Sequence, residues 1–396
     1  MSAVAAFAAT GLALLLAGCG GSTTSTGLFD RPSGQPIAQG PGPVTPGGDT
    51  LGQGSVKVAM ILPMSAGGAS SQVAQQLRNA ADLALRDFQG ANVQILIKDD
   101  GGTTEGGQAA ASQAIGEGAS LIIGPLNAVA ARGAAGPARQ AGIPVVTFTT
   151  DTSVATRGVY LIGFLPSTDV ERIVSYAAAK GRRSMAAIVP DDAFGLVTEA
   201  AFRQAAAQAG VRAFAIERYK ADPNDMQAKA QAIAKLGGQI DAVFVPDAAG
   251  NAAQIVSAMT AAGLDKNKVK ILGTGRWNEQ TAFAAPALAG AWFPAADATG
   301  IEDFKRRYRA AFNSDPGSLG VLGYEAVFLA AGLERKAGPQ PFRDEIMLSR
   351  SGFIGKTGLF RFKADGTSER GLAVYEIGAG GAKVIDPAPQ QFGRGA

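Results

Sequence analysis

The 396-residue chain contains few residues of the types that carry out nucleophilic or metal chemistry. It has no histidine and a single cysteine, Cys19. Without histidine, a Ser-His-Asp or Cys-His nucleophile system and a histidine-ligated metal site are both excluded. With one cysteine, neither an intramolecular disulfide nor a cysteine-cluster metal site can form. The residue types therefore predict no catalytic residue, no metal and no cofactor, and a protein that is not an enzyme.

Two patterns that resemble catalytic sequences fail on their spacing. Residues 355–357 read Gly-Lys-Thr, like the end of a phosphate-binding P-loop, but the glycine required five residues earlier is Arg350. The adjacent aspartates at 99–100 and at 191–192 point to opposite faces of an extended chain, so neither pair forms a catalytic dyad. We expect hinge or turn roles for both pairs.

The position of Cys19 indicates a different chemical role. The apolar run at 4–16 and the Leu-Ala-Gly before Cys19 are typical of a signal peptide over residues 1–18. The run is too short for a membrane-spanning helix, which needs about 20 apolar residues. The Leu-Ala-Gly-Cys ending resembles a bacterial lipobox, which implies that Cys19 is lipidated and holds the chain to a membrane. An ordinary signal peptide with an incidental cysteine is the alternative.

Residues 19–54 predict a tether between this anchor and the folded part. Gly, Pro, Ser and Thr dominate the segment and no hydrophobic period is present, which is typical of a flexible linker. Gly20 stands where enteric bacteria carry an aspartate that retains lipoproteins in the inner membrane, which favours the outer membrane. The expected location is the periplasmic face of the cell envelope.

From residue 55 onward, short apolar runs alternate with alanine-rich helical segments. Strands are predicted at 56–62, 93–98, 121–123, 145–148 and 160–164, and helices at 71–87, 105–117 and 128–141. Continuous apolar strands separated by helices predict a parallel sheet covered on both faces. Further strands at 184–189, 211–217, 242–245 and 269–272 predict a second domain of the same kind. The fold class is α/β, with two doubly wound parallel-sheet (Rossmann-like) lobes.

In the C-terminal part, the alternation of strands and helices stops. Helices are predicted at 302–313 and 324–335, followed by a β-hairpin in which 359–362 and 372–377 flank the turn signal Ala-Asp-Gly at 364–366. Such a late β element often packs back on the first domain. We therefore place lobe 1 at 55–165, lobe 2 at 166–335, and a return to lobe 1 at 336–396.

Several segments form a familiar series when they are taken in order. They are VKVAMILPMSAGGASS at 56–71, LIIGPLNAVA at 121–130, IPVVTFTTDTS at 143–153, MAAIVPDDAFG at 185–195 and ILGTGRWNE at 271–279. Together they resemble type I periplasmic solute-binding proteins of the Leu/Ile/Val-binding class. The resemblance implies two lobes joined by a multi-strand hinge, which close on a small polar ligand and pass it to an ABC permease.

The resemblance places candidate ligand-binding residues after the strands of lobe 1. They are Met64 and Ser65 after the first strand, Leu126, Asn127 and Ala128 after the third, and Thr149 and Thr150 after the fourth. In relatives, the turns after the third and fourth strands hold the carboxylate or amino group of an amino acid. Structural alternatives are open: Ser65 and Asn127 suit helix caps, and residues 149–151 suit a turn.

In lobe 2 the candidates are Phe194, Asp247, Arg276 and Trp277. Phe194 stands where relatives place a tyrosine that stacks on the ligand, and packing in the core is the alternative. Asp247 would bind a cationic group of the ligand or cap a helix. Arg276 and Trp277 occupy the point where amino-acid binders commonly present an acid to the ammonium group. This departure favours an acidic or sugar-like ligand, because arginine pairs with carboxylates and tryptophan stacks on sugars.

Two functions follow from the resemblance. The first is a solute-binding lipoprotein that captures an amino-acid-like or other small polar ligand for ABC-type transport. The second is a lipoprotein activator of penicillin-binding proteins, a branch with the same fold that the segments at 243–259 and 272–279 also resemble. A net charge of +3 with no basic block predicts no nucleic-acid partner.

Overall fold

The structure, a computed structural model, describes residues 49–392 of the chain. The predicted signal peptide, Cys19 and most of the predicted tether lie outside the described residues. Within this range, no helix combines the length and the apolar character that a membrane span requires.

Six strands form the first sheet. They are β1 (Thr50–Leu51), β2 (Val56–Leu62), β3 (Val93–Asp99), β4 (Ile122–Ile123), β5 (Val145–Thr147) and β6 (Val159–Leu161), in the spatial order β1-β3-β2-β4-β5-β6. Neighbouring strands are parallel except β1 and β3, which are antiparallel. Residues 58–62 are completely buried, as expected for a central strand covered on both faces.

The three helices that alternate with these strands and cover the sheet are α1 (Gly68–Asp87), α2 (Thr104–Gly116) and α3 (Ala128–Ala141). Helices α2 and α3 pack very close together because their contact faces are small. A Cβ at Gly107 would lie 2.2 Å from the carbonyl oxygen of Ala130, and one at Gly133 would lie 2.0 Å from that of Thr104. The alanine and glycine content of these helices therefore sets the thickness of this layer.

The second sheet has seven strands, five of which follow each other in the chain with helices between them. The strands are β7 (Ser184–Pro190), β8 (Arg212–Tyr219), β9 (Ala242–Phe244), β10 (Lys270–Leu272) and β11 (Trp292–Ala295), and the helices are α4 (Pro166–Ala179), α5 (Ala193–Gln208), α6 (Pro223–Ala234), α7 (Ala249–Ala261) and α8 (Gln280–Phe283). These five strands are parallel. Apolar cores lie on both faces of the sheet, which confirms the predicted α/β fold class.

The remaining elements complete both lobes. They are α9 (Ala298–Phe312), α10 (Gly320–Ala337), α11 (Asp344–Met347), a small sheet of β12 (Phe353–Gly355), β13 (Gly358–Phe362) and β14 (Ser368–Arg370), and then β15 (Ala373–Gly378) and β16 (Gly381–Asp386). Strand β15 pairs antiparallel with β11 and with β16 at the edge of the second sheet. The order of that sheet is β16-β15-β11-β10-β9-β7-β8.

Two of the predicted boundaries and one predicted strand pairing are wrong. Leu51 is buried and β1 pairs with β3, so the predicted tether at 19–54 extends too far into the folded part. Helices α9 and α10 pack in the core of the first lobe, so the chain leaves lobe 2 well before residue 335. In the predicted hairpin, β13 pairs across the 364–366 turn with β14 rather than with 372–377, which joins the second sheet as β15.

The chain passes between the lobes three times: between β6 and α4, between β11 and α9, and between β14 and β15. Arg370, at the third passage, pairs with Glu325 on α10 at 3.3 Å and donates to the carbonyl oxygen of Ile162 beside the first passage. The two charged side chains are 2% and 0% exposed. The multi-strand hinge thus contains a buried ion pair.

Candidate functional site

The lobe 1 candidates lie at one edge of the first sheet. Strands β2, β4 and β5 are parallel and adjacent, so the residues after them reach the same carboxyl-terminal edge, where open α/β sheets bind ligands. These residues are Met64, Ser65, Leu126, Asn127, Ala128, Thr149 and Thr150. The structure brings the seven to this edge, and their role in ligand binding stays a prediction.

Asn127 is the N-cap of α3. Its side-chain oxygen accepts from the backbone N–H of Ala130 at 2.9 Å, and its amide nitrogen lies 3.4 Å from the carbonyl oxygen of Gly102. An asparagine cap satisfies one of the free N–H groups at a helix start. The side-chain amide is therefore engaged by the protein's own backbone, whereas Leu126 and Ala128 on either side are half-buried.

The threonines after β5 belong to a turn. Thr149 is buried and its hydroxyl accepts from the backbone N–H of Asp151 at 3.1 Å. Asp151 in turn accepts from Ser153 at 2.9 Å and starts a short 3₁₀ turn. Thr150 is exposed at this edge. Thr149 and Thr150 thus form a turn at the carboxyl-terminal edge of the sheet, and their contact with a ligand stays a prediction.

The aspartates at 99–100 also make turn contacts. Asp99 Oδ1 accepts from the backbone N–H groups of Ser65 at 3.2 Å and Gly101 at 2.9 Å. Asp100 is buried and accepts from Gly102 at 2.7 Å. Burial raises the pKa of Asp100 to about 6, against the opposing effect of that hydrogen bond. Their contacts are those of a turn, as the sequence predicted.

Three of the four lobe 2 candidates converge. The guanidinium carbon of Arg276 lies 4.7 Å from the centroid of the Phe194 ring, and Arg276 Nη1 lies 3.9 Å from Asp247 Oδ1. Asp247 is buried and also accepts from the Tyr219 hydroxyl and, at 2.9 Å, from Asn251 Nδ2. The Arg276 side chain remains 46% exposed. A cation held over an aromatic face and beside a carboxylate is thus presented at the edge of lobe 2.

The fourth candidate, Trp277, faces the other way. It is 0% exposed, lies in the core of lobe 2 and donates from Nε1 to the carbonyl oxygen of Asp247 at 2.9 Å. The 3₁₀ turn Gly275–Trp277 directs Arg276 outward and the indole inward. A Cβ at Gly273 would lie 2.2 Å from the indole. The expectation that Trp277 stacks on a ligand is therefore wrong for this structure.

A cavity of about 380 Å³ lies between the two lobes. Its lobe 1 wall includes Phe164, Phe304, Leu319 and Val321, and its lobe 2 wall includes Asp169, Phe194, Thr274 and Arg276. Phe194 and Arg276 are the predicted site residues that line it, and the lobe 1 candidates do not. Most of the wall is aromatic or aliphatic, with a few polar groups, which is the usual composition of a small-molecule site.

Asp169 is one of several lining residues that sequence reasoning missed. It lies in the first turn of α4, and its Oδ2 accepts from the backbone N–H of Gly275 at 2.8 Å. Desolvation raises the pKa of Asp169 to about 7, against the opposing effect of this hydrogen bond. The only sequence signal is the Pro-Ser-Thr-Asp start of a helix at 166–169, at the predicted boundary between the lobes.

Two α/β lobes, three chain passages and a cavity between the lobes define the class of two-lobed periplasmic binding proteins of type I. The chain belongs to the periplasmic binding protein family, because the family model described as "Periplasmic binding protein" matches residues 55–382. Membership of this family implies a periplasmic location. Comparison with curated protein sequences gives no significant match.

Solved structures with the same fold cover most of the chain. A Rhodospirillum rubrum protein described as a branched-chain amino acid ABC transporter is 20% identical, with a TM-score of 0.72 over 83% of this chain and 99% of that chain. The leucine-binding protein LivK from Thermotoga maritima is 19% identical, with a TM-score of 0.56 over 84% and 98%. A solute-binding protein from Rhodopseudomonas palustris, bound to 3,4-dihydroxybenzoic acid, is 21% identical, with a TM-score of 0.58 over 85% and 97%. At these identities the likeness is one of fold.

Proposed function

We propose that this protein is a solute-binding lipoprotein that captures a small, amino-acid-like or other polar ligand between its lobes for ABC-type transport. The observation that carries the proposal is the 380 Å³ cavity whose walls come from both lobes. A ligand that contacts both walls stabilises the closed arrangement of a hinged protein over the open one. The three chain passages provide the hinge.

The cavity suits a ligand with an apolar body and a carboxylate. Phe164, Phe304 and Leu319 supply apolar surface, and Arg276 supplies a guanidinium that can pair with a carboxylate. The solved relatives support this class, since one is a leucine-binding protein and another holds 3,4-dihydroxybenzoic acid. Both of those ligands join a carboxylic acid group to an apolar skeleton.

The lipoprotein part of the proposal rests on Cys19 and the residues before it. A lipid anchor on Cys19 and the tether that follows would keep the binding lobes at the periplasmic face of the outer membrane. In this proposal the protein is a binding protein and not an enzyme, and its partners are its ligand, the membrane and an ABC permease.

A thermal-unfolding screen tests ligand capture. The purified protein is heated with members of a library of amino acids, aromatic acids, sugars and small peptides. A ligand present at 100 times its Kd should stabilise the protein by about 2.7 kcal/mol and raise the unfolding temperature by a few degrees. Stabilisation by one compound class supports the proposal. No stabilisation by any class contradicts it.

A second candidate function is favoured by one contact. Arg276 covers the face of Phe194 on which a ligand would stack, and no acid stands at position 276. These features favour a lipoprotein that activates a penicillin-binding protein instead of carrying a solute. Co-purification with a penicillin-binding protein, combined with a negative ligand screen, would support this candidate, and a small-molecule ligand without such co-purification would exclude it.

A further inference from the structure

The carboxylate of Asp169 has an unusual setting in the cavity between the lobes. Its Oδ2 accepts from Gly275 at 2.8 Å, whereas Oδ1 accepts no hydrogen bond from any residue in the described range. Among residues 49–392, no lysine or arginine lies within 4.0 Å of this carboxylate. A half-buried carboxylate that lacks a cationic partner beside apolar side chains is costly, because it has lost part of its water without gaining an opposite charge.

The neighbouring basic side chains are already engaged. Arg276 lies over Phe194 and beside Asp247, and Lys305, across the cavity on α9, pairs with Glu302 at 2.8 Å. On α4 itself, Arg172 donates to the carbonyl oxygen of Leu372 at 2.7 Å and pairs with Asp386. None of the three supplies the missing positive charge.

A second polar atom beside Asp169 is also unpartnered. Thr274 is 1% exposed, lines the same cavity, and its hydroxyl has no hydrogen-bond partner within the part of the chain that the structure describes. It precedes Gly275, whose N–H holds Asp169. A Cβ at Gly275 would lie 3.1 Å from Asp169 Oδ2, so the absence of a side chain there permits this close approach. One free carboxylate oxygen and one free hydroxyl therefore adjoin the same turn.

We propose that Asp169 binds an ammonium group of the ligand, with the Thr274 hydroxyl as a second acceptor. The inference rests on the proposed solute-binding function and narrows the ligand to an amine with an apolar body. An ammonium group donates three hydrogen bonds and needs a charged acceptor when it leaves water. The acid expected at position 276 is thus supplied from α4, 106 residues earlier than Gly275.

Arg276 at the same cavity gives the site charges of both signs. A zwitterionic amino acid could place its ammonium group at Asp169 and its carboxylate at Arg276. Because Asp169 supplies the acid that is missing at position 276, the residues there no longer argue against an α-amino acid as the ligand. It also predicts that a ligand with an ammonium group binds more tightly than a simple carboxylic acid, because the acid would leave Asp169 without a partner.

Matched probes test this assignment. Isothermal titration calorimetry at pH 8 compares L-leucine with 4-methylpentanoate and 3-methylbutylamine, and L-phenylalanine with 3-phenylpropanoate and 2-phenylethylamine. We expect the compounds with an ammonium group to bind and their des-amino counterparts to bind at least about tenfold more weakly, because hydrogen bonds to charged groups contribute about 1.5–3 kcal/mol. Asp169→Asn should reduce the affinity for the amines by about 10- to 100-fold.

Glu171→Gln is the control, since it removes the same charge from the same helix at a half-buried residue outside the cavity. We expect it to leave the affinity within about twofold of the wild type. Equal affinity for the acid and the amino acid, or an unchanged affinity in Asp169→Asn, would overturn the assignment while leaving the solute-binding function intact. A protein that binds none of the probes or library compounds would contradict both.

Discussion

The guanidinium of Arg276 lies over the ring of Phe194, with 4.7 Å between its central carbon and the ring centroid. The two residues come from different turns of lobe 2, one after β10 and one at the start of α5. Because Asp247 lies 3.9 Å from the same guanidinium, Arg276 is held from two sides while its side chain remains 46% exposed. It therefore presents a fixed positive charge to the cavity between the lobes.

Arg276→Gln should weaken binding of any ligand that carries a carboxylate. We expect a loss of about tenfold or more, since a charge-assisted hydrogen bond contributes about 1.5–3 kcal/mol. Calorimetry with the most stabilising acid or amino acid of the screen measures the change. Arg212→Gln is a matched control, because Arg212 also stacks on a phenylalanine, Phe214, at 4.3 Å, but does not line the cavity. Equal losses in both variants would speak against a direct role for Arg276.

The pH dependence of amine binding should report the ionisation of Asp169. Desolvation raises the pKa of Asp169 in the free protein to about 7, and only the ionised carboxylate attracts an ammonium group. Affinity for an amine probe should therefore fall as the pH decreases from 8 to 6. In Asp169→Asn the affinity should be low and nearly independent of pH over this range. A wild-type affinity that is constant between pH 6 and 8 would contradict the assignment.

The same pKa shift predicts the opposite effect on stability. The folded state holds a proton on Asp169 up to about pH 7, whereas the unfolded chain releases it near the ordinary aspartate pKa of about 3.9. Between these values the folded state binds more protons, so this residue makes the free energy of unfolding fall as the pH rises. Asp169→Asn should thus raise the unfolding temperature at pH 8 more than at pH 5. A variant that is less stable at pH 8 would indicate a structural role instead.

The buried ion pair between Glu325 and Arg370 at the hinge should contribute strongly to the stability of the folded protein. Glu325 accepts from Arg370 and from both the backbone N–H and the hydroxyl of Thr357, at 2.7 and 2.6 Å. Glu325→Gln leaves the Arg370 charge buried without a partner, and should lower the free energy of unfolding by about 3–5 kcal/mol. Urea titration measures the loss.

The exposed pair between Arg309 and Asp315 provides the comparison for this prediction. Its side chains are 53% and 61% exposed, and Asp315→Asn should cost less than about 1 kcal/mol. Similar small losses in both variants would show that the buried pair contributes little to stability.

Membrane attachment should depend on Cys19. Because the chain has one cysteine, Cys19→Ser removes the only thiol that can accept a lipid. In bacterial cells, the wild type should fractionate with the membrane and incorporate labelled fatty acid, and the variant should do neither. A variant that remains in the membrane fraction would place the anchor elsewhere.

The local parts of the fold were predictable from sequence. The strand at 56–62 and the helix at 128–141 have the predicted bounds, because an apolar run defines the first and an asparagine cap and a left-handed glycine, Gly142, define the second. The residues after the strands of lobe 1 were also placed correctly at one edge, since parallel strands fix which ends coincide.

The parts that sequence reasoning missed depend on distant partners. The turn signal at 364–366 predicted a local hairpin, but the strand at 373–378 pairs with Trp292–Ala295, about 80 residues earlier in the chain. Asp169 acquires its setting from Gly275, 106 residues further on. Trp277 and Arg276 are adjacent, and only the 3₁₀ turn determines which of them faces the core. Periodicity within a short segment does not carry such information.

Amide hydrogen exchange with the most stabilising compound of the screen tests the central claim most directly, because it locates the ligand on the chain. We predict slower exchange in the presence of the ligand on both walls of the cavity, at residues 192–196 and 273–278 of lobe 2 and at 317–321 of lobe 1. Protection confined to one lobe, protection away from these segments, or no compound that slows exchange would contradict ligand capture between the lobes.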